Sequence, residues 1–208
     1  GRTLDGFQVD NCNLTGNNVE WGFIGDLTFT TNGASIIKNA VVSNCVIGAL
    51  VAQGAGTLTA EVTGCSIGTE TESSVVFARA LLGSSRITFC NCDIYGAGSD
   101  GYTGLIDVGL LDGARITVSG GSITQKGTDV AVGTFGANVS PPTIILSGVV
   151  IMAATNGVGI SHDAFCYLQG GTIIKNCTGY GVRATDHGGL NKPTIYASDC
   201  SFENCGIG

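Results

Sequence analysis

From Arg86 to Gly96 the chain reads RITFCNCDIYG, and its apolar positions follow a two-residue period that breaks once. Ile87 and Phe89 fall on one face of a strand, with Thr88 and Cys90 on the other, and the first face then resumes at Cys92 and Ile94. Asn91 absorbs the change of parity. The pattern predicts an extended segment that turns a corner at a small polar residue and wraps a narrow core. Versions of it recur from one end of the chain to the other.

Aligned on the cysteine after the corner, the copies place Cys12, Cys45, Cys65, Cys92, Gly121, Val149, Gly171 and Cys200 in one slot, at spacings of 33, 20, 27, 29, 28, 22 and 29 residues. Two residues beyond the slot stand Leu14, Ile47, Ile67, Ile94, Ile123, Ile151, Ile173 and Phe202. Three residues before it stand Val9, Val42, Val62, Phe89, Val118, Leu146, Leu168 and Ala197. Five before it stand Phe7, Ala40, Ala60, Ile87, Ile116, Ile144, Cys166 and Ile195. Repeats of this length mark a solenoid, whose coils stack at roughly 4.8 Å so that each column becomes a buried ladder. A further strand per coil is expected at Val75–Phe77, Leu105–Val108, Val130–Val132, Val158–Ile160 and Val182–Ala184. The long connection holding Val19, Trp21, Phe23, Ile24, Leu27 and Phe29 is too apolar for a solvated loop and should wall its own coil, while TETESS at 69–74 reads as a surface turn.

Two architectures share the pattern, a leucine-rich repeat and a right-handed parallel β-helix. The former requires an apolar residue eight before the slot, where the chain has Leu4, Ile37, Thr57, Ser84, Gly113, Pro141, Asp163 and Lys192, and six of the eight fail. The segments between copies are Gly-rich and strand-like, with no helical period. The expected fold is therefore all-β: a right-handed, single-stranded parallel β-helix of about seven to eight coils, forming one domain over residues 1–208. TIIKNCTGYGV at 172–182 and TIYASDCSFENCGIG at 194–208 resemble coils of the pectate-lyase-like β-helix superfamily, which includes phage tailspikes and bacterial adhesins. Both ends fall inside repeats, which predicts a piece of a longer chain.

Composition narrows the chemistry. With 34 glycines, 43% hydrophobic residues and 12% charged ones, the chain is neither collagenous nor disordered. Nine Lys and Arg against 16 Asp and Glu give a net charge of −7, which argues against a basic nucleic-acid groove. No apolar run reaches membrane-spanning length. Nine cysteines are an odd number, no Cys-x-x-Cys occurs, and five of them share one inward column, so reduced core thiols are expected rather than disulfides or zinc. A reduced ladder suits folding in a cytosol, virion proteins included.

The resemblance implies enzymes that cleave acidic polysaccharides, yet the superfamily's acidic calcium cluster and its paired aspartates with Gly-His-Gly and Arg-x-Lys are missing here. The nearest text is SHDA at 161–164 and GVRATDHGG at 181–189. Aligning Val158 with Val182 sets His162 beside Asp186 and Asp163 beside His187, with Arg183 facing outward nearby. These five residues are the candidate acid/base group, and a structural polar turn is the competing reading. The outward column four before the slot ends in Tyr167 and Tyr196, an aromatic stripe suited to sugar faces or to a trimer contact. The expectation is a tailspike-like or adhesin-like β-helix on a virion tail or cell surface that engages glycan without strong catalysis. It needs no metal or other cofactor, and neither nucleic acid nor membrane insertion. A polysaccharide lyase or glycoside hydrolase is the first alternative and a structural spacer the second.

Overall fold

The computed structural model describes residues 2–15, 27–31, 33, 35–68, 76–79, 84–97, 104–109, 113–128, 130–135, 140–161, 163–186 and 192–206. They form a parallel β-solenoid with three walls. The first sheet stacks Thr3–Asp5 and Gln8–Asp10 on Ile36–Ser43, then Thr57–Thr63, Arg86–Cys90, Arg115–Ser119, Thr143–Ser147, Phe165–Gln169 and Thr194–Ala197. The second stacks the short strands after each corner: Asn13–Leu14, Val46–Ile47, Ser66–Ile67, Asp93–Gly96, Ser122–Gln125, Val150–Ala153, Thr172–Lys175 and Cys200–Glu203. The third stacks Leu27–Thr31, Leu50–Gly54, Val76–Arg79, Gly104–Gly109, Val130–Phe135, Asn156–Ser161 and Val182–Thr185.

The period-two pattern becomes alternating burial. Within Arg86–Cys90, Ile87 and Phe89 are buried, and after the corner so are Cys92 and Ile94. Phe89 pairs with Val62 on one side and Val118 on the other, and Ile87 pairs with Ala60 and Ile116, as the columns require. The corner itself is a column of left-handed residues: Asn11, Asn44, Gly64, Asn91, Gly120, Gly148, Gly170 and Asp199 all have φ between +50° and +67°. Asn, Asp and Gly are the residues that adopt this conformation at least cost, which explains why the parity break always falls on one of them. Corner N–H groups bond to the next coil, as Asn91 N to Ser119 O at 2.9 Å.

Five coils, from Ile36 to Ser161, are buried on all three walls. This is fewer than the seven to eight expected from the repeats, because the copies at either end add strands without closing a core. Val9 is only half-buried in the first, while Val182 is half-buried and Ala184 exposed in the last complete turn. A second correction concerns the seventh slot. Ile151 pairs with Ile174, not Ile173, and Thr172 pairs with Cys200, so the slot holds Thr172 and Gly171 belongs to an enlarged corner. Thr172 Oγ1 donates toward Leu146 O at 2.9 Å and Gln169 O at 2.7 Å, the same two directions taken by Cys92 Sγ toward Val62 O at 3.3 Å and Cys90 O at 3.6 Å. A hydroxyl here does the work of the thiol.

Of the long first connection, Leu27–Thr31 walls its coil as expected, with Phe29 buried edge-on against Phe7 at a centroid distance of 6.3 Å. Val19, Trp21, Phe23, Ile24, Val75 and the 69–74 turn lie outside the described residues. Lys38 and Asn39 bulge opposite the single residue Thr59, and both hold Asp5: Lys38 Nζ at 3.0 Å and Asn39 Nδ2 at 2.8 Å. These bonds, Lys38 first, depress the Asp5 carboxyl below its ordinary value, and Ser43 followed by Asn44 does the same for Asp10. A depressed carboxylate stabilises the fold above its unfolded pKa, near 3.8, and stops doing so as pH falls through the lower folded value. Amide protection in residues 3–10, measured against the intrinsic exchange rate at each pH, should therefore fall in that acid window, while residues 86–94 stay protected. An equal loss of protection in both segments would refute the local origin.

Candidate functional site

The candidate acid/base group stands where the third sheet ends. Val158 pairs with Val182, Gly159 with Arg183 and Ser161 with Thr185, which is the alignment that brought the two segments together in the sequence. His162 and His187 lie outside the described residues. Asp163 is 1% exposed, whereas Asp186 is exposed. One carboxylate therefore faces the interior and the other the solvent. Arg183 is exposed, with its guanidinium carbon 5.5 Å from the ring centre of Tyr180. Burial raises the Tyr180 phenol pKa, and the adjacent Arg183 charge partly opposes that rise. Glycoside cleavage needs two carboxyl groups flanking one bond, both in reach of the substrate. A buried Asp163 and an exposed Asp186 do not present such a pair to one sugar.

The aromatic stripe is built as its column predicted. Thr117 pairs with Ile145, Ile145 with Tyr167, and Tyr167 with Tyr196 on the outer face of the first sheet. The two tyrosine rings stack on each other, with centroids 4.8 Å apart and planes 11° from parallel. The strand repeat and the ring separation coincide, so each ring covers one face of its neighbour. The pair offers a ligand its edges and hydroxyls, and the free face of Tyr196, which is 50% exposed. Phe165, half-buried between Thr143 and Thr194, extends the patch one outward position sideways. It was missed in the sequence, although its two-residue offset from Tyr167 carried the signal. Arg86 and Arg115 are neighbours in that same outward column, and Arg115 is exposed.

All nine cysteines are free thiols. Four form a relay along one column: Cys12 N donates to Cys45 Sγ at 3.4 Å, Cys45 N donates to Cys65 Sγ at 3.4 Å, and Cys92 Sγ points at Val62 O. Cys92 is held protonated, first by its hydrogen bond with Cys65 and then by burial, and burial alone pushes Cys166 up to about 12. A second Asn–Cys corner, unnoticed in the sequence, stacks Asn176-Cys177 near Asn204-Cys205, with positive φ at both asparagines and Cys205 Sγ 3.5 Å from Ile174 O. Reaction of the native protein with a thiol reagent should be slow, slowest at Cys166, and should approach all nine residues after denaturation without reductant. Three or four disulfides by mass would contradict the ladder. Among the described residues no group of three or more His, Cys, Asp and Glu is placed to hold a metal ion.

No family model, no curated protein and no solved structure matches the chain.

Proposed function

We propose that the solenoid is a carbohydrate-engaging module of a virion appendage or cell surface, of the tailspike or adhesin kind within the pectate-lyase-like superfamily. The observation that carries this reading is the aromatic patch of Tyr167, Tyr196 and Phe165 on the flat outer face of the first sheet, bordered by Thr143 and Thr194. Sugar C–H groups pack against aromatic surface while their hydroxyls bond to neighbouring polar groups, and this face supplies both. Arg86 and Arg115, farther along the face, suit an anionic polymer. The same patch is the face through which a trimer would pack.

Cleavage is the weaker reading, since Asp163 is buried and Asp186 is not. A glycan array with product analysis separates the two. Binding without turnover is expected, and Tyr196→Ala or Tyr167→Ala should weaken it by about tenfold, the scale of one aromatic contact. Asp186→Asn should leave it unchanged. Turnover of an acidic polysaccharide that falls at least about a hundredfold in Asp186→Asn and persists in both tyrosine variants would replace the binder with an enzyme.

A further inference from the structure

We propose that Gln169 decides which sugar the aromatic face accepts, its side-chain amide hydrogen-bonding two neighbouring hydroxyl groups of one hexose ring; this role rests on the carbohydrate reading of that face. Beside the tyrosines, on the side of the corner, runs an outward column of Ser43, Thr63, Cys90, Ser119, Ser147 and Gln169. Gln169 has the longest side chain of the six. Ser43 Oγ donates to Asp10 Oδ1 at 2.6 Å and Thr63 Oγ1 to Glu61 Oε1 at 3.2 Å, so these two hydroxyls are occupied within the protein. Gln169 is exposed, and among the described residues none hydrogen-bonds its side-chain amide. Its main chain is held on two sides, since Gly148 N donates to Gln169 O at 3.1 Å and Thr172 Oγ1 donates to the same oxygen at 2.7 Å. The backbone is fixed and the amide is left for a ligand. Gly170 and Gly171, which form the enlarged corner, are both exposed and put no side chain over it.

Phe165, Tyr167 and Gln169 are alternate residues of one strand and share its outer face. Tyr167 and Gln169 are separated by roughly 6.6 Å along it, two residues at about 3.3 Å each. A hexose seated against Tyr167 and the neighbouring Ile145 therefore brings one edge of its ring over Gln169. Two adjacent ring hydroxyls suit a primary amide: the carbonyl oxygen accepts from one O–H while the N–H donates to the oxygen of the next. Either orientation of the amide serves, with the two hydroxyls exchanging roles. Taking one hydroxyl of such a pair away leaves half of the amide without its partner, so the face prefers a hexose with a free vicinal diol at that edge over one that is deoxygenated or substituted there. The aromatic contact holds the ring, and Gln169 reads which hydroxyls it carries.

NMR titration of the wild type and of Gln169→Met with the methyl pyranosides of glucose, mannose and galactose and with their monodeoxy analogues tests this. Methionine keeps the length of the side chain and removes both hydrogen-bonding groups, and at this exposed position it should leave circular dichroism and melting unchanged. At least one parent sugar should bind the wild type, and removing either hydroxyl of one vicinal pair should weaken it by up to about tenfold, the scale of two net hydrogen bonds. Gln169→Met should bind that parent as weakly as the wild type binds the deoxy sugar, and should no longer distinguish the two. A variant that binds the parent as well as the wild type does would overturn the role of Gln169 while leaving the carbohydrate reading in place. So would a variant that still discriminates parent from deoxy sugar, which moves recognition to another residue. A wild type that binds none of these sugars and no glycan on the array would overturn both.

Discussion

Val118→Asp should leave the solenoid largely unfolded at room temperature, while Thr117→Asp, one residue away, should cost about 1 kcal/mol or less. Val118 is 1% exposed, between Phe89 and Leu146 in the middle of the first sheet. Losing its buried side chain forfeits about 1.5–3 kcal/mol. Placing a carboxyl group there without a partner adds about 2 kcal/mol or more even if it takes up a proton. The sum, about 3.5–5 kcal/mol or more, reaches the lower end of the stability of an ordinary domain, about 5–15 kcal/mol. The stacked architecture makes matters worse, because each rung contacts only its neighbours and a broken one disconnects the coils on either side. Thr117 lies outward between Thr88 and Ile145, where a carboxylate stays hydrated. Urea denaturation of the two variants checks the difference, and similar midpoints would mean that the inward and outward columns are interchanged.

The sequence exposes those columns because a two-residue period leaves no choice: a strand shifted by one residue would turn every apolar side chain to water. The corners are equally legible, since only Asn, Asp and Gly occupy them and each has the positive φ that those residues tolerate. Reading by residue type fails at the seventh copy. Matching Gly171 to Gly121 looks natural, but the step from Leu168 to the slot is one residue longer there, and a threonine whose hydroxyl is bonded twice takes the place of the thiol. A polar residue in a core column is invisible to a search for apolar ones. The end copies add no further fully buried coil for a related reason: an apolar residue there fits the pattern but, among the described residues, has a neighbour on one side only.

The candidate site divides along the same line. Column logic placed Tyr167 beside Tyr196 and Arg183 beside Gly159 correctly, because backbone register settles which positions are neighbours. It could not settle ring orientation, which depends on side-chain torsions, and the rings turned out to cover each other. It also could not tell that Asp163, three residues past Ile160, turns inward as the chain approaches buried Ala164, while Asp186 remains outside.

The register at the seventh corner is what the comparison of Gly121→Ala with Gly171→Ala decides. Both glycines have positive φ, +72° and +79°, so alanine meets the same conformational cost at either, about 1–2 kcal/mol. Their surroundings differ. A β-carbon on Gly121 would lie 2.1 Å from Cys92 O and 2.7 Å from Cys92 N, backbone atoms of the neighbouring coil that cannot withdraw without breaking the ladder. A β-carbon on Gly171 would have nothing within 4 Å. Overpacking against fixed neighbours typically adds about 1–3 kcal/mol. Gly121→Ala should therefore unfold at clearly lower urea than Gly171→Ala, by the equivalent of about 2 kcal/mol, with unchanged denaturant dependence in both. Equal losses would mean that the two glycines occupy equivalent positions, with Gly171 in the slot after all. An additional loss at Gly121 places Thr172 there, and Thr172→Cys should then be tolerated, since a thiol already fills the same slot at Cys45, Cys65 and Cys92.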